Sequence, residues 1–267
     1  MFGFSGLRVL FCLVLLLTTG SAWADLSDPL PELDNLQHWA IFSLGSGKFV
    51  NNSSVDGDVA VDGAGKILLG NGAMIYGDLY FRSTGTLTTG RSSGITGRPI
   101  GNADPMLDDD ARSAMAASNR AAFLTPNFAT PTSLSLGGQD NFTVTGGPGQ
   151  NVVLSLNNFR FTGNSTFTLQ GTATTTFIIN VSKQFALSAN SAIVLSGGVQ
   201  WNDVLFNITG SGRNVSLSGN SSLTGIVMAP NRMVRLSGNA RITGEVIAGR
   251  VTLSGSASIT HPPIVSP

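Results

Sequence analysis

Apolar residues alternate with small polar ones in short runs along most of the chain, and towards the C-terminus the runs repeat. The segments Leu217–Ala229, Leu236–Ala248 and Leu253–Thr260 read LSGNSSLTGIVMA, LSGNARITGEVIA and LSGSASIT, their leading leucines 19 and then 17 residues apart. Weaker copies begin at Phe161 and Leu187, and Gly57-Asp58-Val59 returns as Gly77-Asp78-Leu79 after 20 residues. A repeat of that length is one coil of a three-sided β-solenoid, each side a short strand closed by a turn. Within a copy Leu217 points in, Ser218 points out, Gly219-Asn220 turns the chain, and Leu223 and Thr224 resume the alternation. Stacking the copies predicts one interior ladder of Leu217, Leu236 and Leu253 and another of Leu223, Ile242 and Ile259. Gly and Asn fall where tight or left-handed backbone is needed.

One segment departs from the period of two and predicts a helix over about 104–124. Asp104 is expected as its N-cap with Pro105 in the first helical position, and Asp108, Asp109 and Asp110 place negative charge in the first turns. Leu107, Ala111, Ala114, Ser118 and Ala122 make a stripe of mostly small residues suited to lying along a solenoid wall. Pro126 and Pro131 close the segment. The aspartate triplet lacks the turn Gly and distal Glu of a cation loop, so it is read as a complement to the helix dipole.

The first residues are set apart from this fold. Arg8, the apolar run Val9–Leu17 and the Ala22-Trp23-Ala24 ending form a secretory signal pattern, so residues 1–24 are expected to be removed and 25–267 to form a single secreted domain. Cys12 lies in the apolar run, which leaves the mature chain without a thiol and so without disulfides or thiol chemistry. No later stretch is apolar enough to span a membrane, and the C-terminus carries no anchor pattern, so a soluble form is expected.

Only 11% of the residues are charged, against about 25% in an average globular protein, so the surface must be built of hydroxyl and amide side chains. The charges are unevenly spread. Residues 25–140 hold thirteen acidic and seven basic side chains, whereas after 140 only Asp203 and Glu245 stand against six arginines and Lys183. A basic half favours anionic partners such as acidic polysaccharide, but arginines spread along a sequence are read first as solvated charge. A nucleic-acid partner is not expected without a basic cluster.

Catalysis finds little support. His38 and His261 lie near opposite ends of the chain in no metal-ligand spacing. Asp56, Asp58, Asp62 and Asp78 are the only candidate acids for polysaccharide cleavage, and the recurrence of Asp58 and Asp78 after Gly suggests a stacked turn rather than an acid and base pair. Gly146-Gly147-Pro148-Gly149 lacks the Lys and Ser/Thr of a phosphate loop. No catalytic residue, metal or cofactor is expected.

Thr174–Val181 (TTTFIINV), Leu195–Phe206 (LSGGVQWNDVLF) and the repeats through Ile259 resemble the bacterial ice-binding-like adhesive family, also called choice-of-anchor A proteins. They are similar, more distantly, to ice-binding proteins with a discontinuous β-solenoid. Gly57–Val61 and the helix after Asn102 follow in the same order. The resemblance implies an all-β fold, a right-handed three-sided β-solenoid with one long helix packed alongside, in which chain order and spatial coil order differ. It implies no catalytic residues and an extracellular surface or adhesive role.

The candidate binding face is the outward ladder of Thr224, Thr243 and Thr260 with Ser222 and Arg241 beside it, together with Arg235 of the neighbouring ladder Ser216, Arg235, Thr252. Two arginines among so few coils interrupt a flat hydroxyl lattice, so adhesion to an extracellular ligand, a polysaccharide or matrix protein, ranks first. Ice as the ligand ranks second, and a polysaccharide-active enzyme third.

Overall fold

The structure, a computed structural model, describes Leu26 and residues 30–264. The expected signal segment and Cys12 lie outside the described residues. Short parallel strands stack in register into one continuous three-sided β-solenoid flanked by a single α-helix, α1 (Asp104–Phe123).

The coils repeat because each turn of the chain places an apolar residue inside on every side. Leu217 pairs with Leu236 and Leu236 with Leu253, while Leu223 pairs with Ile242 and Ile242 with Ile259, all buried, so both predicted ladders are present. The weaker copies belong to the same stack: Phe161 pairs with Leu187, and Leu187 with Leu217. In the wider coils the core turns aromatic, with Phe159 and Phe185 stacked at 4.9 Å and Phe206 edge-on to Phe185. At the corners, side-chain amides form a column of their own. Asn239, Asn220 and Asn190 each donate to the Asn of the preceding coil, at 2.9, 3.0 and 2.9 Å. At another corner Asp58 accepts the Asp78 N–H and Asp78 accepts the Arg98 N–H, both at 2.7 Å, which gives these aspartates the stacked-turn role their spacing suggested.

Spatial order differs from chain order. The first coil, through strands Ile41–Ser43, Gly47–Phe49 and Ser54–Asp56, lies in the middle of the stack. Successive coils run outwards to Pro99–Ile100 at one end, and α1 then carries the chain back. The strand Ser133–Leu136 starts again at the opposite end, and later coils return until Ser258–Thr260 pairs with Ser54–Asp56. Twenty helical residues rise about 30 Å, the height of roughly six strand spacings of about 4.8 Å, so α1 is long enough for most of this return.

The helix covers one side of the solenoid. Leu107, Ala114, Ala117 and Ala121 are buried against Phe42, Ala60, Ile178, Leu205, Met228 and Ile247, an apolar layer outside the solenoid interior. Small helix residues let the axis approach the sheet, and buried amides hold it there. Asn180 donates to the Ala121 carbonyl at 2.7 Å, and Asn207 donates to the Ser118 carbonyl at 2.9 Å while its Oδ1 accepts the Ser118 hydroxyl.

Three details of the expected helix are corrected. The N-cap is Ala103, and the Asp104 carboxylate instead accepts the Ser83 N–H and hydroxyl at 3.0 Å, tying the helix start to the preceding coil. Ala122 is exposed and Ala111 half-buried, because the contact stripe runs through Ala117 and Ala121. Asp110 is buried and accepts the Trp39 indole N–H at 2.9 Å, whereas Asp108 and Asp109 pair with Arg82 and Arg112.

Candidate functional site

With one side covered by α1, two sheet walls remain bare. The first wall is built from Asn141–Thr145, Thr166–Gln170, Ala192–Ser196, the starts of Ser222–Leu236 and Arg241–Leu253, then Ser258–Thr260, Ser54–Asp56, Met74–Tyr76 and Gly94–Ile95. Thr224, Thr243 and Thr260 stand on it as consecutive partners, with Ser222, Arg241 and Ser258 in the adjacent row. Five of the six candidate residues therefore share a surface. Arg235 does not. It pairs with Ser216 and Thr252 on the second bare wall, as its own ladder required, and one corner separates the two.

The threonine row is longer than the C-terminal repeats show. Thr143 pairs with Thr168 and Thr168 with Val194 on one flank, while Thr260 pairs with Asp56 and Asp56 with Tyr76 on the other. Thr168 occupies the position of Thr224 in the copy that begins at Phe161, so the sequence carried a signal for it. Nothing local signalled Asp56 and Tyr76, because they join only through the stacking of the first coil on the last. Val194, Tyr76 and Asp56 are exposed, so the row offers methyl and hydroxyl groups over six coils and then a carboxylate and a phenol.

The wall meets the helix-covered side at a stacked glycine corner. Gly225 and Gly244 carry the long strands from the first wall onto the helix-covered side with φ of 139° and 133°, and a Cβ on Gly244 would lie 2.3 Å from the Gly225 carbonyl oxygen. Only glycine fits that stacked corner.

Behind this corner lies a group of titratable side chains. Glu245 is fully buried and neither carboxylate oxygen has a hydrogen-bond partner, so desolvation holds its pKa well above the usual carboxylate range, with Asp110 adding to the shift. Burial also raises Asp110, against its bond from Trp39, and lowers His261, whose ring packs edge-on to Trp201 at 4.8 Å. The group supplies no activated nucleophile, and among the described residues no cluster of His, Cys, Asp and Glu could hold a metal ion. An open groove of about 670 Å³ beside the start of α1 is lined by Leu44, Pro105, Asp108, Asp109, Ala111, Arg112 and Met115, and its charged groups are already engaged, Asp108 with Arg82 and Asp109 with Arg112. The arrangement is suited to surface contact.

A family profile described as an ice-binding-like adhesive domain matches residues 64–261, most of the chain. The chain belongs to this ice-binding-like adhesive domain family. Solved structures share its fold at low identity. An ice-binding protein from an Arctic yeast is 18% identical over 92% of this chain and 97% of its own, with a TM-score of 0.60. One from the Antarctic ascomycete Antarctomyces psychrotrophicus is 17% identical over 87% and 98%, at 0.57. A domain of a Shewanella frigidimarina ice-binding protein is 17% identical over 87% and 97%, at 0.54. No curated protein matches the chain in sequence. The family match covers the full threonine row from Tyr76 through Thr260 apart from Asp56, and it includes the helix.

Proposed function

We propose that the chain is a non-catalytic, secreted surface-recognition module of the adhesive kind, which lays a bare sheet wall against an extended extracellular ligand. The observation that carries this reading is the division of the solenoid. One side is closed by α1 with an apolar layer between, while the wall bearing Thr224, Thr243 and Thr260 is free of helix and built of short hydroxyl-bearing side chains in register. A regular row at about 4.8 Å per coil is suited to a repetitive partner. Its hydroxyls supply many weak hydrogen bonds without the entropy cost of ordering long side chains.

Ice is the second reading. The six-coil run from Thr143 to Thr260 favours it, as do the ice-binding proteins that share the fold. Against it, Arg241 stands beside Thr243 in the middle of the wall, and Met74, Asp56 and Tyr76 break the hydroxyl pattern at one flank. Thr243→Tyr decides between the two. The parent protein is expected to show little thermal hysteresis or inhibition of ice recrystallisation. Strong hysteresis in the parent, abolished by Thr243→Tyr with the melting temperature unchanged, would reverse the order of the readings.

A further inference from the structure

We propose that the second bare wall is a docking surface for an acidic polysaccharide, a chain of carboxylated or sulfated sugars laid along the stack. This rests on the adhesive reading above and adds to it a second face, with the ligand class that face takes. Cations that are scattered along the sequence converge there. Arg160, Arg235 and Lys48 occupy one outward row, in which Arg160 is followed by Ala186, Ser216, Arg235, Thr252 and Lys48 as successive partners. Arg250 and Lys66 belong to the parallel row two residues away.

At about 4.8 Å per strand step, Arg160 and Arg235 are roughly 14 Å apart, Arg235 and Lys48 roughly 10 Å, and Arg250 and Lys66 roughly 10 Å. The set spans close to 30 Å. All five are exposed, and none makes an ion pair among the described residues. Lys183 and Arg213 add exposed positive charge at the adjoining corner. No Asp or Glu stands on the outward rows of this wall. The exposed acids lie off these rows: Asp108 and Asp109 at the helix start, Asp56 on the first wall, Asp34 before the first coil, and Asp140 at the corner after Ser133–Leu136, where its carboxylate accepts the Gly137 N–H.

The chemistry between the cations selects among polyanions. Ser135, Ser216, Thr252 and Asn158 present hydroxyls and an amide that can bond sugar hydroxyls, and Arg supplies paired donors for carboxylate or sulfate. Single-stranded nucleic acid is held by stacking on aromatic side chains, and among the described residues the exposed large apolar side chains, Tyr76, Met106, Phe123, Val194 and Ile264, all lie elsewhere. The same absence leaves a membrane surface no interfacial anchor.

The test uses the full chain with alginate and heparin as probes, neutral dextran as the uncharged comparison and phosphatidylglycerol vesicles as the lipid arm. Binding to one or both polyanions is expected in 50 mM salt and should be lost by 0.5 M, where screening is short-ranged. The double variant Arg235→Glu with Arg250→Glu should weaken it at least tenfold. Arg98→Glu with Arg112→Glu, an equal change of net charge on other surfaces, should leave it within twofold, and circular dichroism should show both variants folded. Equal loss in both variants, binding to vesicles alone, or no polyanion binding at low salt would each overturn the inference. Attachment to neutral glycans or matrix protein that Thr243→Tyr removes, with no polyanion binding, would overturn it while leaving the adhesive reading intact. Absence of attachment to any of these would sink both.

Discussion

Glu245 shows how far a single residue can depart from the pattern around it. It occupies the position of Ile226 in the neighbouring coil, where an apolar side chain meets no difficulty, and is fully buried without a hydrogen-bond partner. Burial raises its folded-state pKa well above 4.5, so the neutral acid is the form the fold accepts. The linked stability is fully present below the unfolded pKa and is lost as pH rises through the folded value, because the unfolded chain releases its proton first. Asp62 and Asp110, also raised by burial, act in the same direction. His38 and His261, both lowered from 6.5 by burial, act oppositely and cost stability as pH falls through that region. The measurement is therefore parent against Glu245→Gln at each pH, by chemical denaturation from pH 4 to 9. The variant is expected to gain on the parent steadily as pH rises above the ordinary carboxylate range. A difference that stays constant across the series would show that Glu245 does not titrate on unfolding.

Within a strand, the alternation of inside and outside decides what each position contributes. Leu236 is buried between Leu217 and Leu253, while the neighbouring Ser237 lies at a turn where only its backbone N–H is engaged, with the Leu217 carbonyl. Leu236→Ala is expected to cost about 2 to 5 kcal/mol, the range for large-to-small core changes, and Ser237→Ala less than about 0.5 kcal/mol, as for surface changes. Urea midpoints for the two variants measure this directly. Equal shifts would contradict the register. The helix illustrates the other limit of elemental reasoning. Its extent, Asp104–Phe123, was legible from Pro105 and the small-residue stripe. Its buried contacts were set by amides on distant strands, Asn180 and Asn207, which no helical period in 104–124 could announce.

For the whole molecule, the interleaving of first and last coils has a thermodynamic consequence. Ser258–Thr260 pairs with both Arg241–Thr243 and Ser54–Asp56, so the coils before α1 and those after it share one continuous core. Neither group can lose its edge without exposing the other, and thermal unfolding is expected as one transition with equal calorimetric and van't Hoff enthalpies. Ile259→Asp, which places a carboxylate in the core at that junction, should lower the single midpoint by roughly 5 °C or more, at about 2 to 4 °C per kcal/mol for a chain of this size. Separate melting of the coils before α1 would show that the junction does not couple them.

The sequence by itself determined the repeat, the inward ladders, the helix and the threonine row of the last coils, because each is written in residues near one another along the chain and follows from a period of two or 3.6. The tertiary structure alone decided which coil lies beside which, since parallel stacking depends on where α1 delivers the chain and not on local pattern. That is why Asp56 and Tyr76 extend a row that begins at Thr143. It is also why Lys48 and Lys66, before the helix, come to share a surface with Arg160, Arg235 and Arg250 after it. Charge that looks dispersed along a sequence becomes a surface only when strands about 4.8 Å apart bring distant segments into one plane.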